Sequence, residues 1–136
     1  MANTFTAPFA QTPKTATAVA TAVATLTDTP ANTVLLVTAG VNGAILTRLT
    51  AIPRATVTAS SLVLFISKDS GTTQRLIDSE LMAAHTLATT TAIPETFFAN
   101  YSESSPLRLE AGDRLYIGSQ VALAGGIVFR AEFTDF

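Results

Sequence analysis

From residue 32 onward, short apolar runs alternate with turn signals at intervals of about ten residues, the spacing of a sheet protein made of many short strands. "NTVLLVT" (32–38) is followed by "AGVNG", whose Asn42-Gly43 pair signals a type I′ hairpin. "AILTRLTAI" (44–52) ends at Pro53. "SLVLFIS" (61–67) is continuously apolar between its serines, the pattern of a central strand covered on both faces, and "KDSG" (68–71) turns the chain after it. "ETFFANY" (95–101) reads as another strand. In "LRLEAGDRLYIGS" (107–119), Ala111-Gly112-Asp113 is a turn into a strand at 114–119. In the closing segment Ile127, Phe129, Ala131 and Phe133 share one face, and Val128, Arg130, Glu132 and Thr134 the other. No βαβ alternation interrupts this pattern. The expected fold is all-β, an antiparallel jelly-roll or Greek-key β-sandwich of about eight strands.

Two segments are less direct. "TQRLIDSELM" (73–82) is open between helix and strand, and Leu76, Ile77, Leu81 and Met82 fit a helical face slightly better. "AAHTLATTTAIP" (83–94) reads as a loop.

The stretch "TATAVATAVATLTDTP" (15–30) admits three readings. A membrane span needs about 20 mainly apolar residues, and this run is short and dense in threonine. A secretory signal needs a basic start and a leucine-like run. Here the beginning is polar, broken by Pro8 and Pro13, with Lys14 the single base before Arg48. Alanine favours a helix. Against it, Thr15, Thr17, Val19, Thr21, Val23, Thr25 and Thr27 all occupy odd positions, while Ala16 to Ala24 and Leu26 occupy the even ones. That period of two predicts a strand with β-branched residues on one face and small apolar ones on the other. Residues 1–14 read as an extended arm, because Pro8 and Pro13 interrupt pairing, and Phe5 and Phe9 make it a candidate partner-binding segment. The expected organisation is an arm over 1–14 and one sandwich domain over 15–136.

At 136 residues the chain can bury roughly two-thirds of its unfolded surface, enough for a core without staples. It has no cysteine, so disulfides and thiolate metal sites are excluded. Charged residues are 13% of the chain, the net charge is -2 and only two of the eight bases are lysines. Affinity for nucleic acid needs clustered bases and is not expected. Alanine and threonine make up about a third of the sequence, and a skin so poor in charge suits either assembly with other subunits or a compact secreted sheet domain.

Residues with chemistry are sparse. His85 is the single histidine, and its flank "MAAHTLATT" offers no orienting carboxylate, so it is expected in a solvated loop. Asp69, Asp78 and Glu80 lie close in sequence but fit ordinary turn and surface roles rather than a calcium loop. "AGG" (124–126) precedes no helix and reads as a turn or bulge. Without tryptophan, and with only Tyr101 and Tyr116 as tyrosines, the chain is poor in glycan platforms. No catalytic residue, cofactor or metal site is expected, and the chain does not read as an enzyme.

"TAGVNGAILTRLTAIPRATVTASSLVLFISKDSGTTQRLIDSELM" and "SPLRLEAGDRLYIGSQVALAGGIVFRAEFTDF" together resemble small proteins encoded beside the capsid genes of tailed bacteriophages. That pattern has a "GANG"-type turn, a strand with a base like Arg48, a "TTAGxVRLFIxDG"-like strand and turn matched by "ASSLVLFISKDSG", and an "LxLPAGxxLxxS"-like approach matched by "LRLEAGDRLYIGS". It ends in an acid and an aromatic, here Asp135 and Phe136. The resemblance spans about residues 30–136, and "HTLATTTAIPETFFANYSES" departs from it by being less rich in proline. It implies a jelly-roll cement or decoration protein on the outer surface of the virion capsid, bridging neighbouring major capsid proteins. It further implies a homo-oligomer, dimer or trimer, with no nucleic-acid or membrane partner. The alternative is a tail or spike sandwich that binds a host receptor or glycan, with a small secreted β-sandwich hydrolase or binding domain behind it.

Overall fold

A computed structural model describes residues 12–136, and nine strands and no helix form among them. They are β1 (Thr12–Ala20), β2 (Val34–Thr38), β3 (Ala44–Pro53), β4 (Ser60–Ser67), β5 (Arg75–Met82), β6 (Thr96–Phe97), β7 (Leu107–Leu109), β8 (Arg114–Ser119) and β9 (Ile127–Asp135). One sheet has the order β1-β9-β3-β6, with β7 also on β3, and the other the order β2-β8-β4-β5. Every ladder is antiparallel. First pairs with last, β2 with β8, β3 with β7 and β6, and β4 with β5. The chain is thus one long hairpin rolled so that successive pairs fall in alternate sheets. The fold is an antiparallel β-sandwich of two sheets.

Alternation along each strand builds the core. From one sheet Ala18, Ala20, Leu46, Leu49, Ala51, Ile127, Phe129 and Phe133 point inward, and from the other Leu36, Leu62, Leu64, Leu115 and Ile117 meet them. β9 alternates as its sequence requires, odd residues buried and even ones half-buried. β3 does not keep its period, because a bulge between Leu46 and Arg48 lets Leu46 and Leu49, three apart, both face inward.

β4 is buried on both faces, as its uninterrupted apolar run demands. Leu62 and Leu64 enter the main core, while Val63 and Phe65 form a second small cluster with Ala24, packed by Tyr116. What covers this outer face is the segment joining β1 to β2. Ala24 N–H donates to Ser119 O at 2.8 Å, Gln120 Nε2 to Ala24 O at 2.6 Å, and Gln74 N–H to Asp28 O at 2.8 Å. Asn32 Nδ2 donates to Val23 O, and Asp28 pairs with Arg75. Residues 21–33 are a strap across the sheet.

The structure revises several sequence expectations. The alanine-threonine run is a strand only to Ala20, with its alanines inward and Thr15 and Thr17 exposed. Its ladder stops there because β9 begins at Ile127, the partner of Ala20, so the rest of the run is free to cross to the other sheet. Thr12, Pro13 and Lys14, expected in the arm, already pair with Asp135, Thr134 and Phe133. Pro13 fits because β1 is an edge strand, where a missing N–H need not break a ladder. Phe5 and Phe9 lie outside the described residues.

Residues 75–82 are strand, not helix; their helical look comes from a bulge opposite Leu64 and Phe65 that places Leu76 and Ile77 side by side. The strand expected over 95–101 is reduced to Thr96–Phe97, after which Phe98 turns into the core and donates its N–H to Leu49 O. At the β2–β3 turn, Gly43 alone takes positive φ (86°) and donates to Gly40 O, so the turn is not type I′.

Candidate functional site

The strap covers the outer face of its sheet over β4 and β8, where Val63, Phe65 and Tyr116 lie. The outer face of the other sheet carries no comparable strap and exposes Thr15, Thr17 and Arg48, although Thr50 near its centre is buried. Alternation places Thr15, Thr17 and Val19 of β1, Val128, Arg130, Glu132 and Thr134 of β9, and Arg48, Thr50 and Ile52 of β3 on it. Its charges answer one another within the face. Arg48 Nε lies 3.7 Å from Glu132 Oε2, and Arg130 reaches Glu95 at 3.9 Å. The Arg48 guanidinium also sits 5.3 Å from the centre of the Phe97 ring, a cation–π contact. These half-exposed pairs add little stability. Their consequence is for docking, since a partner covering this face leaves few charges unmatched.

A groove borders the face. β7 pairs with β3 at Ala44–Leu46 and β6 pairs at Thr50 and Ala51, so the intervening edge of β3 is left to the β6–β7 loop. Arg48, Phe97, Tyr101, Glu103 and Glu132 line an open hollow of about 420 Å³ there. Burial, with Asp78 close by, pushes the Tyr101 hydroxyl far above the ordinary tyrosine range, so it stays protonated and cannot act as a base.

The single histidine is placed differently from expectation. His85 exchanges backbone hydrogen bonds with Val57 at 2.9 and 3.0 Å, and its Nε2 is buried without a partner, so it is held in a bridge rather than solvated. No carboxylate or hydroxyl orients it among the described residues. Asp69 accepts from Thr73 N–H and Ser67 Oγ in the β4–β5 turn, and the Thr73 N–H foremost keeps its carboxyl below the usual range. Asp78, in mid-β5, accepts from Ser79 N–H and Asn100 Nδ2. Asp69 and Asp78 are thus held by separate contacts and the Glu80 carboxylate by none among the described residues, and no group of three or more His, Asp or Glu is placed there to hold a metal.

Sequence reasoning missed the grouping of Arg48, Phe97 and Glu132, since β3, β6 and β9 meet only through the fold. It also missed Asp113, buried at the β7–β8 turn, which accepts from Lys68 Nζ at 2.7 Å and Glu110 N–H at 2.8 Å. The turn "EAGD" was the available signal, an aspartate able to bond its own turn.

No family model, curated protein or solved structure matches the chain.

Proposed function

We propose that this chain is a structural virion protein that decorates and cements an icosahedral phage capsid, bridging neighbouring major capsid proteins. The reading starts from the resemblance in the turn and strand motifs. The observation that carries it furthest is the open β1-β9-β3 face, rich in threonine, with Arg48 and Arg130 already matched by Glu132 and Glu95. Interfaces deplete charge at their centres, and an arginine already paired costs less to bury than one left without a partner. The work is mechanical and calls for no catalytic group or cofactor. At about 25 cal/mol per Å², an interface of roughly 1,600 Å² represents tens of kcal/mol before the entropy and desolvation costs of association. A small surplus per copy, repeated over a shell, opposes rupture. Phe5 and Phe9 are part of the proposal as an attachment segment.

The groove at Phe97 and Tyr101 favours the second reading, a tail or spike module that takes a glycan or receptor. Imaging of labelled protein on virions separates the two. Density spread over the capsid surface supports the cement reading, and density confined to the tail overturns it in favour of the second.

A further inference from the structure

β5 ends its sheet and pairs on one side only, with β4. It carries large apolar residues in the open, Leu76 at 44%, Ile77 at 38% and Leu81 at 72% exposure. An edge of this kind is a template for another strand. Its pairing with β4 fixes the faces: Leu76 lies opposite Phe65, Ser79 opposite Val63 and Leu81 opposite Ser61 on the outer side. Asp78 lies opposite Leu64 and Glu80 opposite Leu62 on the inner side, with Ile77 as the extra residue of the bulge.

This pattern is self-complementary in one register. Laid antiparallel about a two-fold axis through Ser79, two copies bring Leu76 of each opposite Leu81 of the other, on the same face. The same register sets Asp78 against Glu80 twice, and like charges directly opposite each other oppose pairing. Asp78 does more. Its Oδ1 accepts the Ser79 N–H at 2.8 Å, so the backbone donor at the axis is already occupied, and Asn100 Nδ2 holds the same oxygen at 3.2 Å. Its other oxygen, Oδ2, is buried beside Tyr101.

We propose that β5 is a self-association edge for a second copy of this chain, and that Asp78 keeps it closed. Removing the carboxylate frees the Ser79 N–H, takes away the repulsion toward Glu80 and leaves the leucine match intact. The proposal concerns the free protein and stands apart from the capsid reading.

Sedimentation velocity over a concentration series tests it with the wild type, Asp78→Ala and the double variant Asp78→Ala/Leu81→Lys. Asp78→Ala is expected to self-associate at concentrations at least tenfold lower than the wild type, and Leu81→Lys to reverse the gain. A lysine on the outer face blocks edge pairing but does not rescue a misfolded core, so reversal identifies the edge. Asp78→Ala sedimenting as the wild type, or association that persists in the double variant, overturns the proposal. Should Asp78→Ala fail to fold, Glu80→Gln carries the test, because the Glu80 carboxylate makes no hydrogen bond or ion pair among the described residues. Earlier association of Glu80→Gln supports the closed edge, and unchanged association overturns it.

Discussion

The two sheets present opposite solutions on their outer faces. On the β2-β8-β4-β5 sheet, Val63 and Phe65 point outward and are covered by the strap through Ala24. On the β1-β9-β3 sheet the outward positions are mainly threonines, valines and paired charges; Thr15, Thr17 and Arg48 are exposed, while Thr50 is buried and Arg130 is met by Glu95 from the segment before β6. The strap belongs where the sequence of β4 has no polar face; the open face belongs where β1 and β9 alternate. The chain lays the β1–β2 connection over the apolar side and leaves much of the other side for water or a partner.

The comparison breaks most readily at Phe65. Its side chain is fully buried under the strap. Phe65→Ala is expected to destabilise the fold by about 3–5 kcal/mol in chemical denaturation, as truncation of a packed aromatic does. A change below about 1 kcal/mol would mean that the strap face behaves like surface.

The seat of the strap gives the next effect. A Cβ on Gly118 would lie 2.6 Å from the Ala24 Cβ. Gly118→Ala is therefore expected to cost about 1–3 kcal/mol and to raise hydrogen exchange across residues 21–33, since two packed methyls must separate. Unchanged exchange there would separate the strap from the sheet.

On the open face the same measurement should show almost nothing. Arg48→Ala removes a half-exposed pair with Glu132 and is expected to shift stability by about 1 kcal/mol or less. A larger loss would mark the open face as part of the folding core.

The smallest effect lies in a pH titration. The hydrogen bond to Asp113, ahead of the other influences, raises the Lys68 pKa above its ordinary 10.5. The pair therefore contributes fully below 10.5, and its contribution fades as pH rises through the higher folded value. Lys68→Met should remove this alkaline slope from the stability profile. The slope is expected to be slight, since the lysine is largely exposed.

How much of this was legible in the sequence depended on whether a strand kept its period. β9 and β4 were readable residue by residue, because strict alternation and an unbroken apolar run each have one sheet solution. β3 and β5 both carry bulges, which put apolar residues three apart or side by side, and β5 then imitated a helix. The even positions of the alanine-threonine run gave its inner face. Where the strand ended was set by the start of β9, more than a hundred residues away in sequence. The candidate surface was hidden for the same reason. Arg48, Phe97 and Glu132 come from three strands, and only the rolled pairing brings them together.

The central claim is that this protein strengthens a shell by burying its open sheet face. The direct measurement is the thermal rupture temperature of capsids bearing no copies, wild-type copies or the Thr17→Lys/Thr134→Lys variant, whose new charges stand on that face. Shells saturated with the wild type are expected to rupture at a higher temperature than bare shells, and the variant to bind poorly and leave rupture at the bare value. Equal rupture temperatures for bare and fully occupied wild-type shells would contradict the claim.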